Sequence, residues 1–238
     1  MHRALFIIDV QNDFTEGGAL GVEGGNAVAA GIARLLAGHP EAYDLVIASR
    51  DWHDADNDNG GHFAGVEGPD FVDTWPVHCV AGTPGAAYHD DLAGVRIDFH
   101  VHKGQGEPAY SIYEGTTEEG ATVHDLLDQH AVTEIDIVGL ATDYCVRASA
   151  LDAIEHGRRV RVLTDLIAGV AAESSAAALA ELAHAGAELV LSESAGDSAG
   201  DGDAAHDVDA GGTRGVEGTG AAEGTGAAEG TSTAEARA

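Results

Sequence analysis

The chain has 238 residues, a formal net charge of -30, and two cysteines, Cys79 and Cys145. The acid excess excludes nucleic acid and anionic membrane surfaces as partners, and two cysteines make no disulfide framework. No apolar run is long enough to span a membrane, and Met1 to Asp9 is too soon charged for a signal peptide, so a cytoplasmic protein with one sizeable α/β core is expected.

Residues 3–9 form an apolar run ending in Asp9, the pattern of a buried parallel strand. A glycine-rich loop follows, then an alanine-rich helix over 27–36 with Asn26 as its cap. Residues 44–49 read as a second strand. From Arg50 to Pro84 there is little periodicity, and this segment carries Asp51, His53, His62 and His78. A long irregular segment inside a compact domain usually has a function. Residues 96–102 make a third strand ending at Lys103, and 118–130 a helix. Residues 134–138 make a fourth strand, running into Gly139-Leu140-Ala141-Thr142-Asp143-Tyr144-Cys145-Val146 and a helix that stops near Gly157. A strand over 159–163, a helix over 174–185 and a strand over 187–191 complete the domain.

This alternation predicts an α/β fold in three layers: a six-stranded, mostly parallel sheet with helices on both faces. The domain is expected over residues 1–193. Residues 194–238 are Gly, Ala, Ser, Thr and acid, including a repeated Gly-Thr-Gly-Ala-Ala-Glu, and are read as a disordered tail.

Ligands in parallel sheets bind outside the carboxyl ends of the strands. Asp9, Asp51, Lys103 and Cys145 all lie at or just past such ends. Cys145 follows a strand and a sharp turn and opens a helix, with Thr142 or Asp143 available as its cap. The helix N-terminus favours an anion there, so the thiol is expected to ionise readily. Asp9 can take and return a proton, and Lys103 can stabilise both anions. Asp51 and His53 fall on one side of an extended segment. With His78, and His62 as a further ligand, they offer N and O donors suited to Zn²⁺ or Fe²⁺, with Mn²⁺ also compatible.

Five blocks together resemble a known family: Asp9-Val10-Gln11-Asn12-Asp13-Phe14, Asp51-Trp52-His53, Trp75-Pro76-Val77-His78-Cys79, Lys103-Gly104 and Ala141-Thr142-Asp143-Tyr144-Cys145-Val146. They occur in the order found in the nicotinamidases of the isochorismatase-like cysteine-hydrolase superfamily, and the resemblance covers roughly residues 3–191. It implies hydrolysis of nicotinamide to nicotinate and ammonia, in pyridine nucleotide salvage, with pyrazinamide as a related substrate. Cys145 is similar to the family's thioester-forming nucleophile, Asp9 to its general acid/base and Lys103 to their charge partner. Asp51, His53 and His78 are similar to ligands of one divalent ion that holds the pyridine nitrogen. His62 is similar to an additional ligand of mycobacterial-type members. Phe14, Trp75, Tyr110 and Leu140 are similar to substrate contacts, and the N–H groups of Ala141 and Cys145 to an oxyanion hole beside a cis Leu140–Ala141 peptide. Tyr144 departs from the His that mycobacterial-type members carry. A homo-oligomer is compatible with all of this.

Rival readings are a sister amidase acting on another carboxamide, direct attack by metal-bound hydroxide, and a non-catalytic metal or thiol-sensing module. The charge carries a separate expectation. Lys103 is the only lysine, beside ten arginines, and a surface rich in acid and poor in lysine suits a high-salt cytoplasm. Because salt screens repulsion between close carboxylates, the melting temperature is expected to rise with NaCl into the molar range. A maximum in dilute buffer would refute the halophilic reading.

Overall fold

The computed structural model describes residues 2–196. The expected tail lies outside the described residues from 197 onward.

Six strands form one sheet: β1 (His2–Ile8), β2 (Leu45–Asp51), β3 (Phe99–Lys103), β4 (Val132–Leu140), β5 (Arg159–Ala168) and β6 (Glu188–Val190). Their order is β3-β2-β1-β4-β5-β6, and every neighbouring pair is parallel. Chain order reverses between β1 and β4, the place where an open parallel sheet has a crevice at its carboxyl edge.

Period-two alternation divides the core between the two faces. Ala4, Phe6 and Ile8 point to one face, with Ile47, Ile135 and Ile137. There they meet α2 (Val123–Gln129), α3 (Arg147–Glu155) and α4 (Ala172–Ala185) through Leu127, Ala150 and Leu182. Leu5 and Ile7 point the other way, with Val46 and Val138, towards α1 (Gly25–Gly38) and its Val28, Ile32 and Leu35. Strands buried on both faces read as continuous apolar runs, which is the pattern seen here.

The opposite, amino-terminal edge carries a polar network. The Asp136 carboxylate accepts from Arg161 Nε and Nη2 at 2.7 and 2.6 Å and from the Tyr43 hydroxyl at 2.8 Å. Glu134 accepts from Arg3 Nε and Nη2 at 3.1 and 2.9 Å and pairs with Arg159. These acids, half of the Glu-Ile-Asp-Ile alternation, are buried because each has a guanidinium partner.

Several local expectations are corrected. The helix expected from residue 118 begins only at Val123. Thr122 caps it by accepting from the Asp125 N–H at 3.2 Å, and the antiparallel pair Thr116–Thr122 closes a turn over residues 117–121, in which the Gly120 N–H donates to the Thr117 carbonyl at 2.9 Å. Asn26 does not cap α1. The Glu16 carboxylate does, accepting from the Gly24 and Asn26 N–H groups at 2.8 and 2.7 Å. Neither Thr142 nor Asp143 caps the turn at Cys145. Asp143 reaches across to the start of α4 instead, accepting from the Val170 and Ala171 N–H groups at 2.9 and 3.1 Å and from Ser174 Oγ at 2.6 Å. β5 also runs beyond residue 163, rejoining β4 past an irregularity through the pair Gly139–Ile167.

Gly139 sits at that irregularity with φ +116°, and a Cβ there would fall on the backbone of Ile8. Both the dihedral and the contact require glycine. Gly139→Ala is expected to cost at least about 3 kcal/mol by urea denaturation, above the usual range for a single substitution. An unchanged denaturation midpoint would show that β1 and β4 can separate at no cost.

Candidate functional site

Four adjacent strands each deliver one reactive residue to the carboxyl edge. Asp9 follows β1, Asp51 and Lys103 end β2 and β3 and face each other in register, and Cys145 follows β4. Asp9, Asp51, Lys103 and Cys145 are all buried. Asp9 has φ +47°, in the left-handed region that Asp tolerates better than most residues, and this takes the chain out of the sheet just beyond the last rung. Cys145 lies in a π-helical turn, Thr142–Val146, which leads directly into α3.

Lys103 joins the group. Its ammonium pairs with Asp9 Oδ2 at 2.9 Å and with Asp51 Oδ1. It also donates to the Ala109 carbonyl at 3.3 Å and lies 3.6 Å from Cys145 Sγ. Burial alone would lower the Lys103 pKa, but Asp51 and Asp9 outweigh it and hold the amine firmly charged. Burial would likewise raise the Asp51 carboxyl, yet the Lys103 ammonium keeps it well below its usual value. Asp9 goes the other way: burial pushes its pKa up, and Lys103 only partly offsets this.

The expected low thiol pKa is corrected. Burial raises the Cys145 thiol well above its ordinary value, with the charges of Asp9 and Asp51 acting the same way against Lys103. The helix-start argument omitted two carboxylates that arrive from distant parts of the sequence. The resting nucleophile candidate is therefore a neutral thiol beside a carboxylate of raised basicity.

Beside the triad of Asp9, Lys103 and Cys145 lies a second cluster. Donor atoms of Asp51, His53, His62 and His78, all buried, lie within 4.8 Å of one another. Asp51 Oδ2 is 3.5 Å from His53 Nε2 and 3.7 Å from His78 Nε2. The other ring nitrogens are held from outside: His53 Nδ1 by the Gly104 carbonyl at 2.8 Å and His78 Nδ1 by the Pro76 carbonyl at 2.7 Å. A carbonyl can only accept, so each Nδ1 carries a proton, which in the neutral ring leaves the Nε2 lone pair facing inward. Gly104 has φ +76°, and a Cβ there would strike the His53 ring. His53 Nε2 and both nitrogens of His62 are buried without a hydrogen-bond partner. Burial lowers His62 to about 4, so its ring is neutral near pH 7. A carboxylate and three imidazoles whose donor atoms converge, with unpartnered nitrogens on His53 and His62, fit a divalent ion.

Between triad and cluster opens an apolar pocket. Phe14, Trp75 and Tyr110 line it, together with Ala141 and Cys145. Trp75 Nε1 donates to the Tyr110 hydroxyl at 3.2 Å. Leu140 is corrected: its side chain is fully buried in the core layer shared with α1 and does not line the pocket. The Leu140–Ala141 peptide is cis. Leu20, Val22, Tyr144 and Val170 also line the pocket and were missed as such. Tyr144 meets Trp75 edge-on, with ring centroids 4.9 Å apart. Leu20 and Val22 carried one available signal, since they are isolated apolar residues within a run of glycines.

Comparison with known proteins agrees with this geometry. The isochorismatase domain family model matches residues 3–194. The chain is 48% identical over 190 residues to the nicotinamidase/pyrazinamidase of Mycobacterium tuberculosis, covering 80% of this chain and 99% of that protein. The structure of the pyrazinamidase of Pyrococcus horikoshii in complex with zinc superposes with a TM-score of 0.68 at 35% identity, covering 80% of this chain and 99% of that one. An L. infantum protein solved in complex with nicotinate superposes with a TM-score of 0.69 at 34% identity, covering 81% and 93%. With the family model matched from β1 to the end of the described sheet, and a relative of this identity along nearly its whole length, the chain belongs to the isochorismatase family.

Proposed function

We propose that this chain is a nicotinamidase, hydrolysing nicotinamide to nicotinate and ammonia through a thioester on Cys145, with nicotinate passing into pyridine nucleotide salvage. The observation that carries this reading is one apolar pocket bordered by Cys145 on one side and by the Asp51–His53–His62–His78 donor set on the other. The likeness to a nicotinamidase/pyrazinamidase and to a nicotinate complex supports the same substrate class.

In this reading Cys145 Sγ attacks the carboxamide carbon while its proton passes to Asp9. The raised thiol pKa means that proton transfer accompanies attack, and the raised Asp9 pKa makes that carboxylate a competent base. The N–H groups of Ala141 and Cys145 receive the developing oxyanion. Asp9 then returns the proton to the leaving nitrogen, and ammonia departs. Asp9 next takes a proton from water as the water attacks the thioester. Nicotinate leaves, and the proton restores the thiol. Lys103 stays charged throughout and lowers the energy of each anion beside it. A zinc, iron or manganese ion held by Asp51, His53, His62 and His78 would supply an electrophilic anchor for the pyridine nitrogen. Phe14, Trp75 and Tyr110 provide the apolar walls for the ring.

Three outcomes test this. Cys145→Ala is expected to lower kcat by at least about a thousand-fold with folding retained, and rapidly quenched wild type should show a nicotinoyl adduct on Cys145 by mass spectrometry. Near-normal turnover in the alanine variant would sink the covalent route. Benzamide, which lacks the ring nitrogen, should show a far lower kcat/KM than nicotinamide, and equal values would remove the anchoring role of the donor set.

The pH dependence of Cys145 alkylation tests Lys103. Its charge favours the thiolate, so its loss should move the alkylation curve to higher pH. Wild type should react at the lowest pH and Lys103→Met at the highest. Lys103→Arg should keep the charge but lose much of the rate, because a planar fork cannot meet two carboxylates and a sulfur as a compact ammonium does. Coincident curves for all three proteins would take Lys103 out of the triad.

A further inference from the structure

The β1–β2 ladder ends at the rung Ile7–Ala48, yet β2 runs on to Asp51. Asp9 has meanwhile turned the chain out of the sheet. The last residues of β2 therefore present polar backbone towards a strand that is no longer there.

Two buried side chains fill the gap. The Gln11 carboxamide accepts from the Asp51 N–H at 2.8 Å and donates to the Asp51 carbonyl at 2.9 Å. Its second amide proton goes to the Ala86 carbonyl at 3.0 Å. Reversing the amide would set its nitrogen against the Asp51 N–H, so the network settles the orientation. The Ser49 hydroxyl donates to Asp9 Oδ1 at 2.7 Å and accepts from the Asp9 N–H at 3.3 Å. Gln11 and Ser49 are both fully buried, and neither lines the pocket. The pattern is reciprocal: a side chain beyond β1 holds the carboxylate residue of β2, and a side chain of β2 holds the carboxylate residue beyond β1.

This lacing has a mechanical reason. Lys103 pulls on one oxygen of each carboxylate. Asp51 must at the same time keep its second oxygen among the histidines, and Asp9 must stay beside the thiol. A pull on the side chain shifts the backbone unless the backbone is anchored. Gln11 anchors Asp51 at both its N–H and its carbonyl, while Ser49 grips Asp9 at both its backbone and its carboxylate.

We propose that Gln11 and Ser49 are positioning residues with separate duties. Gln11 sets Asp51 and through it the four-residue donor set. Ser49 sets Asp9 and through it proton transfer to and from Cys145. The duty of Ser49 rests on the amidase reading above, whereas that of Gln11 rests on the donor set alone.

The test compares wild type, Gln11→Met and Ser49→Ala. Zinc affinity is measured by competition with a chromophoric chelator, and kcat and KM for nicotinamide by ammonia release at saturating zinc. Gln11→Met keeps the side-chain length and removes all three hydrogen bonds. It should weaken zinc binding by at least about 10-fold, the scale found when partners of metal ligands are removed, and raise KM more than it lowers kcat. Ser49→Ala should leave zinc affinity unchanged and lower kcat by about 10-fold or more, the lower range of an acid–base contribution, with little change in KM.

Wild-type zinc affinity in Gln11→Met, or wild-type kcat in Ser49→Ala, overturns the corresponding duty. Equal losses of zinc affinity and kcat in both variants overturn the proposal as a whole, since that is the signature of general packing. Ser49→Ala removes a single oxygen, so if Gln11→Met does not fold, the serine variant still decides: lost kcat with retained zinc supports the division, and loss of both overturns it. Wild type that binds zinc but releases no ammonia would reject the amidase reading and leave the zinc comparison between variants in force.

Discussion

A single ammonium group between two buried carboxylates is the constraint around which the rest of this site is arranged. Asp9 and Asp51 are both fully or nearly fully buried, and two anions this close in a medium of low polarity repel strongly. Lys103 makes the arrangement tenable and is itself tenable only because of them. Removing one member of such a buried group leaves uncompensated charge, typically at a cost of about 3–5 kcal/mol. The strand order follows the same logic. With β3, β2, β1 and β4 side by side, the lysine, the two acids and the thiol arrive in one row, each from its own strand.

The part of this arrangement that could be read in the sequence was the part that depends on short-range pattern. Apolar runs marked the strands, and the rule that sites lie at their carboxyl ends drew Asp9, Asp51, Lys103 and Cys145 to one rim. What could not be read depends on partners distant in sequence. The helix start at Cys145 argued for an easily ionised thiol, but two acids and a closed apolar surround reverse the direction. Thr142 and Asp143 looked like local caps, whereas Asp143 is occupied by α4. Leu140 and Tyr144 exchange roles for a similar reason. The strand's alternation buries Leu140 in the core, and the turn that follows brings Tyr144 to the pocket.

The irregular segment between β2 and β3 supplies His53, His62, Trp75 and His78 with almost no regular structure to hold them. Short polar side chains do the work that a ladder does elsewhere. Asn59, fully buried, accepts from the Asp54 and Gly106 N–H groups at 2.8 and 3.1 Å and donates to the Asp54 carbonyl at 3.1 Å. Asp70 accepts from the N–H groups of Val72, Asp73 and Thr74 at 2.9, 3.0 and 2.9 Å. Asp13 accepts from the Cys79 N–H at 2.7 Å, next to His78. Side chains that satisfy loop backbone in this way make an aperiodic segment a defined structure. They also explain why a stretch without hydrophobic period is rich in Asp and Asn.

The chain's one lysine sits at the centre of the site, buried, and every other fixed cation is an arginine. Feeding isotope-enriched lysine during expression would therefore place a single nuclear-magnetic-resonance label in the whole polypeptide, and that label would sit between Asp9, Asp51 and Cys145. Its line would report protonation and occupancy of the site with no assignment problem and no engineered probe. Conversely, reagents that modify amines would find no lysine on the described surface. The scarcity of one residue type, read at first as a property of the surface, thus gives the interior a spectroscopic address of its own.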